Sequence, residues 1–241
     1  GIWAGEALES AIERVSGAPI VKKILKDGSA VKAGTTVCEW EGPAQWVLAL
    51  ERPSLNLAAF VSGIATRTAG LVKLAHEAGL KHPPRITTTR KTLPGYRDLS
   101  IYGVLAGGGH PHRVSLSGGV LIKENHIAAA GGISSAVGGV RKASPHGLGV
   151  EVEVRNLKEL EQALHCVVEG VLLDNFKPSD VKLALELIED EARLPVTVEV
   201  SGGIHEGNLR DYLLEGVHVI SVGSLTHTVR PMDLSLLVHG T

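Results

Sequence analysis

The stretch "LGVEVEVRNLKELEQALHCVVEGVLLDNF" (148–176) decides the fold, because it contains one complete strand–helix–strand unit. Its two ends are short β-branched or aliphatic runs, which predict strands. The segment between them is amphipathic with a helical period, and Asn156 stands where a helix N-cap belongs. Only 21 residues separate Glu153 from Asp174 at the matching strand ends, which leaves room for one helix, two short loops and one strand. Such a unit predicts two parallel strands joined by a helical crossover.

The same alternation of strand and helix recurs along the chain from about residue 85. A second amphipathic stretch, "KPSDVKLALELIEDEARL" (177–194), offers Ser179-Asp180 as its cap. Strands this apolar are buried on both faces, so a closed parallel barrel and a doubly wound open sheet both fit. The barrel is favoured because polar residues recur at the C-terminal end of nearly every strand. The strand runs are "RITTTR" (85–90), "GVLIKENH" (119–126), "LGVEVEV" (148–154), "GVLLDNF" (170–176), "VTVEVSGG" (196–203) and "HVISVGS" (218–224).

Residues 1–82 follow a different pattern. The run 19–50 reads as short strands separated by Gly and Pro turns, and the run 54–79 reads as one long helix or two. The tail "PMDLSLLVH" (231–239) alternates like a strand and is expected to return to the N-terminal part. We therefore expect an N-terminal domain over residues 1–82, joined by the tail 228–241, and a second domain over residues 83–227 that carries the functional site.

Composition narrows the class of function. The net charge of −2 gives no electrostatic footprint for nucleic acid or for a membrane surface. Cys38 and Cys166 are far apart and lack metal-ligand spacing, which suits a reducing, cytoplasmic compartment. No stretch approaches 18 uninterrupted apolar residues, and no signal peptide is evident, so no membrane span is expected.

Charged and glycine residues gather at the predicted strand ends. Glu153 and Asp174 are hard oxygen donors of the kind that Mg²⁺ binds, while Gly-rich turns after the last two strands would expose backbone N–H groups to phosphate at helix N-termini. Arg90, Arg113 and Lys123 exceed what one phosphate needs, and Arg grips carboxylates in a bidentate manner. The site therefore suits a phosphorylated, metal-bound substrate together with a carboxylate-bearing anion. Arg90 and Lys91 can both face it only if the first strand has broken by Lys91, since neighbouring strand residues point to opposite faces.

Seven motifs follow one another along the chain: "TTRKTLPGYR" (88–97), "GGGHPHR" (107–113), "IKENHI" (122–127), "VEVEV" (150–154), "LLDNF" (172–176), "VSGGI" (200–204) and "SVGSLTH" (221–227). In this order they resemble the quinolinate phosphoribosyltransferase family, the decarboxylating enzymes of NAD biosynthesis. The run 42–66, "GPAQWVLALERPSLNLAAFVSGIAT", also resembles the N-terminal domain of that family. The resemblance implies an incomplete, seven-stranded α/β barrel, an N-terminal α/β sandwich domain, and a homodimer whose two sites each borrow residues from the partner.

The resemblance also implies roles for individual residues. Lys123, Glu153 and Asp174 are expected to be catalytic, with Glu153 and Asp174 holding Mg²⁺ and the ribose hydroxyls. Arg52 is expected to reach in from the other subunit, and Lys91 and Lys123 to face phosphoribosyl pyrophosphate. His227 lies close by and is ranked lower. The residues expected to bind quinolinate or phosphoribosyl pyrophosphate are Arg52, Arg90, Lys91, His112, Arg113, Lys123, Ser201, Gly202, Gly203 and Gly223.

Three other functions remain open at this stage. Nicotinate phosphoribosyltransferase has related chemistry, but its substrate has one carboxylate and does not need so many cations. A Schiff-base barrel enzyme would use Lys123 or Lys91 as nucleophile. A non-catalytic anion-binding module would bind its ligand without a metal.

Overall fold

The computed structural model describes residues 1–12, 14–112, 119–145 and 147–239. The strands of these ranges are β1 (Ile20–Ile24), β2 (Cys38–Glu41), β3 (Arg85–Thr87), β4 (Val120–Ile122), β5 (Val150–Val154), β6 (Gly170–Asp174), β7 (Thr197–Ser201) and β8 (Val219–Ser221). The helices are α1 (Glu6–Ile12), α2 (Ala44–His76), α3 (Arg97–Ala106), α4 (Glu124–Ala130), α5 (Ile133–Ala143), α6 (Leu157–His165), α7 (Pro178–Glu191) and α8 (Ser224–His227), with a short 3₁₀ helix at Leu209–Tyr212.

The chain divides into two compact units. The first comprises the described residues of Gly1–Val72, Arg90–His110 and Ser224–Thr241, and the second those of Lys73–Thr89 and Pro111–Gly223. Residues 90–110 thus group with the N-terminal segment, although the sequence places them in the second domain. The domain bounds 1–82 and 83–227 stay a prediction.

In the first unit, β1 and β2 form an antiparallel hairpin, as their β-branched and aromatic residues predict. Helix α3 packs closely against α2, because Gly103 of α3 has no side chain to hold the helices apart. A Cβ on Gly103 would lie 2.9 Å from the carbonyl oxygen of Val61. The small residues of both helices therefore set how closely they approach.

Helix α2 begins at Ala44, so the strand expected up to residue 50 is wrong in its last part. The helix continues through Pro53, which forfeits one intrahelical hydrogen bond. By length and composition α2 is the one described helix that could cross a membrane, but 44% of its most apolar window is buried. Ser62 and Thr68 are fully buried along it, and the Thr68 hydroxyl donates to the carbonyl of Ile64 at 2.8 Å. We therefore interpret α2 as a core helix.

The tail returns to the first unit as expected, but it is not a strand. The backbone N–H of Met232 donates to the carbonyl of Ala59 in α2 at 2.9 Å. The tail thus bonds to a helix carbonyl and not to a strand edge, which explains why an alternating sequence forms no strand here.

The second unit is built on a six-stranded, all-parallel sheet in the order β3-β8-β7-β6-β5-β4. Strands joined through helices in this order give an α/β fold with an incomplete barrel, as the family resemblance implies. The resemblance implies seven strands, and the described residues supply six, with β3 and β4 at the two edges.

The two faces of this sheet differ in chemistry. One face is apolar and 3% exposed or less; it carries Val150, Val152, Val154, Val171, Leu173, Val198, Val200 and Ile220. The residues that alternate with them are largely polar: Thr87, Glu151, Glu153, Asp174, Glu199, Ser201 and Ser221.

Two helix caps of this unit were predicted from the sequence. Asn156 accepts from the N–H of Glu159 at 2.9 Å and caps α6, as predicted. The predicted cap at Ser179-Asp180 is wrong, because α7 starts at Pro178, whose fixed φ suits a first helical position.

Candidate active site

Lys123 lies at the junction of β4 and α4. The strand ends at Ile122 and the helix begins at Glu124, so Lys123 is the N-cap of α4 and its backbone is extended. Its N–H donates to Nδ1 of His126 at 2.9 Å, which fixes the turn. The sequence expectation that residues 123–126 continue the strand is therefore wrong, because this contact already belongs to the helix start.

The Lys123 ammonium forms an ion pair with Glu153. The two residues are 30 positions apart in sequence, but β4, which Lys123 follows, and β5, which contains Glu153, are neighbours in the sheet. The Glu153 side chain is 8% exposed, whereas that of Lys123 is 44% exposed. Burial raises the pKa of the Glu153 carboxyl, and a hydrogen bond with Glu124 and the charge of Asp174 act in the same direction, against Lys123. The pKa of the exposed Glu124 is lowered, chiefly by its hydrogen bond with Glu153. A proton is thus held more readily on Glu153 than on Glu124.

Asp174 ends β6 and is supported by the residue that follows it. The amide of Asn175 donates to Oδ2 of Asp174 at 2.7 Å, and the N–H of Asn175 donates to the carbonyl of Ser201 at 2.8 Å. Asn175 adopts a left-handed backbone with φ of 57°, which Asn tolerates better than most residues. Gly202 lies against this side chain: an added Cβ would meet Oδ1 of Asn175, and its φ of +99° favours glycine. These contacts of Asn175 with Ser201 and Gly202 connect the end of β6 to the end of β7.

The donor chemistry of Glu153 and Asp174 suits Mg²⁺. They are two carboxylates from neighbouring strands, close enough that the charge of Asp174 raises the pKa of Glu153. A divalent cation between hard oxygen donors would relieve this repulsion. The magnesium site remains a proposal.

A second polar cluster lies on the same face, and of its members only His112 was predicted as a site residue from the sequence. His112 Nε2 lies 3.3 Å from Oε2 of Glu199, and Ser221 donates to Oε1 of Glu199 at 2.5 Å. Thr87 and Ser221 hydroxyls lie 2.7 Å apart. Glu199 precedes Ser201 by two strand positions and so shares its face, which is the sequence signal that could have found it. Ligand atoms of His112, Glu151 and Glu199 all lie within 4.8 Å of one another.

The remaining predicted site residues are placed as follows. Arg52 lies on α2, and Arg90 and Lys91 follow β3, whose last residue is Thr87, so the strand does break before Lys91. All three belong to the first unit, as does His227 in α8, and their roles stay predictions. Arg113 lies outside the described residues. Gly203, with φ of +63°, follows Gly202, and Gly223 lies two positions after β8.

The predicted phosphate loops differ in their geometry. After β8, helix α8 begins directly behind Gly223, as predicted. After β7, the next helix begins only at Leu209, so Gly202 and Gly203 form a turn and not a helix N-terminus. The N–H of His205 in this turn donates to Oδ1 of Asn208 at 2.8 Å, which shows how the intervening loop is held.

Two family models match nearly the whole chain. The C-terminal domain of quinolinate phosphoribosyl transferase matches residues 64–237, and the N-terminal domain matches residues 1–62. The chain belongs to the quinolinate phosphoribosyl transferase family. This membership accounts for the order of the seven motifs along the sequence.

Individual members of the quinolinate phosphoribosyl transferase family agree in sequence and in structure. The "Probable nicotinate-nucleotide pyrophosphorylase [carboxylating]" of Methanocaldococcus jannaschii is 43% identical over 218 residues, which cover 89% of this chain and 75% of the relative. The human nicotinate-nucleotide pyrophosphorylase [carboxylating] is 41% identical over 90% of this chain and 72% of its own. The solved nicotinate-nucleotide pyrophosphorylase of Francisella tularensis superposes with a TM-score of 0.87 at 36% identity, covering 97% of this chain and 80% of that one.

Proposed function

We propose that the chain is a quinolinate phosphoribosyltransferase of NAD biosynthesis. It converts quinolinate and phosphoribosyl pyrophosphate into nicotinate mononucleotide, pyrophosphate and CO₂. The observation that carries the proposal is the Lys123–Glu153 ion pair beside Asp174 at the carboxyl ends of β4, β5 and β6, in a chain of this family. The relatives are named for the same reaction in reverse, in which pyrophosphate cleaves the nicotinate nucleotide and the ring is carboxylated.

The reaction mainly requires that the protein position the two substrates and stabilise the charge that develops. The pyridine nitrogen of quinolinate attacks C1 of the ribose as pyrophosphate leaves. The quaternised ring then accepts the electrons of the C2 carboxylate bond, CO₂ departs, and the ring carbon takes a proton. A fixed cation aimed at developing negative charge is the main means by which a protein accelerates such steps.

Lys123 is suited to be that cation. Its ammonium is held by Glu153, and its backbone is fixed by His126, so its side chain is aimed before substrate arrives. An ion-paired ammonium stabilises charge, whereas a Schiff-base nucleophile must first lose its proton. Asp174, supported by Asn175, offers a carboxylate to the ribose hydroxyls.

Glu153 and Asp174 would hold Mg²⁺, which when bound neutralises the charge of the pyrophosphate leaving group. The buried position of Glu153 limits water around that carboxylate. Lys123 pairs with the same carboxylate and so orients Glu153.

We extend the proposal to a homodimer in the cytoplasm. The outer part of the first unit supports an interface: Ile20 of β1 is 64% exposed and Leu48 of α2 is 57% exposed. Arg52, one turn from Leu48, has a side chain that is 72% exposed. A partner covering these residues would remove apolar surface from water and engage Arg52.

The decisive experiment measures release of labelled CO₂ from carboxyl-labelled quinolinate. Release should require both phosphoribosyl pyrophosphate and Mg²⁺. Lys123→Ala should lower kcat/KM by about a hundredfold or more, because loss of one preorganised charge-stabilising group typically has this effect.

Lys158→Ala is the matched control, since Lys158 is an exposed lysine on α6 and should leave the rate unchanged. Pyrophosphate release from nicotinate, with none from quinolinate, would instead identify a nicotinate phosphoribosyltransferase. Near-normal turnover of Lys123→Ala would contradict the role assigned to Lys123.

A further inference from the structure

A series of polar contacts, two of them hydrogen bonds, crosses the polar face of the parallel sheet. Ser221 donates its hydroxyl proton to Oε1 of Glu199, at 2.5 Å. Thr87 must then be the donor in its 2.7 Å contact with Ser221, because Ser221 has only one proton to give. The other oxygen of Glu199, Oε2, faces Nε2 of His112 at 3.3 Å. Three strands and one loop residue are linked in this way.

Most of the residues in this series of contacts are buried. Thr87 and Glu199 are each 4% exposed, and Ser221 is 3% exposed. A carboxylate buried to this degree is costly unless its oxygens accept hydrogen bonds. One oxygen of Glu199 contacts Ser221 and the other contacts His112. These two contacts together set the orientation of the Glu199 carboxylate.

His112 lies in a bend outside any helix or strand. Glu199, in contrast, is in the middle of β7, between neighbours β6 and β8. A carboxylate on a rigid strand can hold an imidazole with Nε2–H directed toward it, which sets both the tautomer and the plane of the ring.

We propose that Glu199 is a positioning residue for the reaction and acts through His112. Glu199, braced by Ser221 and Thr87, holds the His112 imidazole in the orientation that receives a carboxylate of quinolinate. This inference rests on the proposed function, in which His112 binds quinolinate. It assigns to Glu199 an effect on quinolinate binding without a contact to quinolinate.

The same atoms could in principle hold a metal ion, since His112, Glu151 and Glu199 offer ligand atoms within 4.8 Å. The interpretation without a metal is favoured because Oε1 of Glu199 already accepts a hydrogen bond from Ser221, and Oε2 lies 3.3 Å from Nε2 of His112. Zinc titration by calorimetry separates the two. Stoichiometric Zn²⁺ binding that Glu199→Gln abolishes would overturn the proposal.

The kinetic test compares Glu199→Gln with the wild type. Replacing one oxygen by an amide removes the charge and leaves an N–H₂ group facing either Ser221 or His112. We expect KM for quinolinate to rise roughly ten- to a hundredfold, the effect of losing a hydrogen bond to a charged group, while KM for phosphoribosyl pyrophosphate changes less than about twofold. Glu186→Gln, the same substitution at an exposed position on α7, is the control and should behave as wild type.

A double-mutant cycle tests whether the effect passes through His112. In a His112→Ala background, Glu199→Gln should add little, because its target is gone. Full additivity would overturn the proposal. Ser221→Ala, which removes only the brace, should raise KM for quinolinate in the same direction by a smaller factor, and it keeps the test open if Glu199→Gln fails to fold.

The ring of His112 provides a readout that does not depend on catalysis. In nitrogen-15 NMR spectra of the side chains, with the signal assigned through His112→Ala, His112 should show a proton on Nε2 in the wild type and a changed signal in Glu199→Gln. An unchanged signal would overturn the proposal. If the wild type releases no CO₂ from quinolinate, the proposed function fails, while this spectrum still reports whether Glu199 holds His112.

Discussion

Glu153 is buried, and this makes its contribution to stability depend on pH. Its pKa is raised, chiefly by burial, so the folded state holds the proton more tightly than the unfolded state, where the ordinary value is 4.5. The contribution of Glu153 is therefore fully present below 4.5 and is lost as the pH rises through the folded pKa. Glu153→Gln cannot ionise and should lack this loss, although it should lose most activity. Urea unfolding at several pH values from about 4 to 8 checks the prediction.

The control for this measurement is Glu186→Gln, because it removes an exposed carboxylate elsewhere in the same unit. Its unfolding free energy should follow the wild-type pH dependence. Parallel curves for Glu153→Gln and the wild type would show that burial of Glu153 does not favour its neutral form.

At the scale of residues, the sequence located the ends of the strands better than their interiors. Lys123 and Asp174 stand where apolar runs stop, Glu153 is the last but one residue of β5, and the structure brings these three together. Glu199 lies in the middle of β7, where a polar residue at an alternating position is typical of one that faces solvent. Only the folded sheet shows that this face turns inward and links Glu199 to His112.

The turn after β7 offers a prediction at the scale of one element. Gly202→Ala should destabilise the protein by about 1–3 kcal/mol, because φ of +99° strains a residue with a Cβ. The added Cβ would also displace Oδ1 of Asn175, which lies beside the Asp174 carboxylate. We expect thermal and urea unfolding of Gly202→Ala to show this loss.

Gly203→Ala is the matched control, because neither cause applies to it to the same degree. Its φ of +63° lies within the left-handed region that other residues can adopt, and no atom lies within 4 Å of the added Cβ. It should therefore cost clearly less than Gly202→Ala. Equal losses would contradict the effects assigned to the φ of Gly202 and to its contact with Asn175.

Element boundaries were predictable where local chemistry decides them. Asn156 caps α6 because its side chain can reach the N–H of Glu159, which is a purely local contact. The early start of α2 at Ala44 was missed because Gly42 and Pro43 suggest a turn and Pro53 suggests a break. The tail was misread as a strand because alternation alone does not supply a partner strand.

At the scale of the whole molecule, the fold class followed from one repeated rule. Strand–helix alternation favours parallel strands, and the six strands of the second unit are all parallel. The grouping of residues 90–110 with the N-terminal segment did not follow, because it depends on packing such as that of Gly103 against α2. Contacts between segments distant in sequence leave little trace in local patterns.

The shared active site of the proposed homodimer is open to a complementation test. Arg52 lies on α2 in the first unit, whereas Lys123 lies in the second. If Arg52 serves the partner's site, Arg52→Ala and Lys123→Ala are each inactive as homodimers, but a heterodimer of the two contains one site with both residues intact. Random pairing makes about half of the dimers heterodimers, so about a quarter of wild-type activity should return on mixing refolded or co-expressed subunits.

Mixing Lys123→Ala with Glu153→Ala provides the matched control. Lys123 and Glu153 form one ion pair within a single subunit, so no heterodimer of these two variants has an intact site, and activity should stay absent. Heterodimers are identified independently by two different affinity tags. If the Arg52→Ala and Lys123→Ala mixture forms heterodimers and remains inactive, Arg52 acts within its own subunit. Recovery in that mixture alone would place the Arg52 of one protomer beside the Lys123 of its partner, because no other pairing restores a complete site.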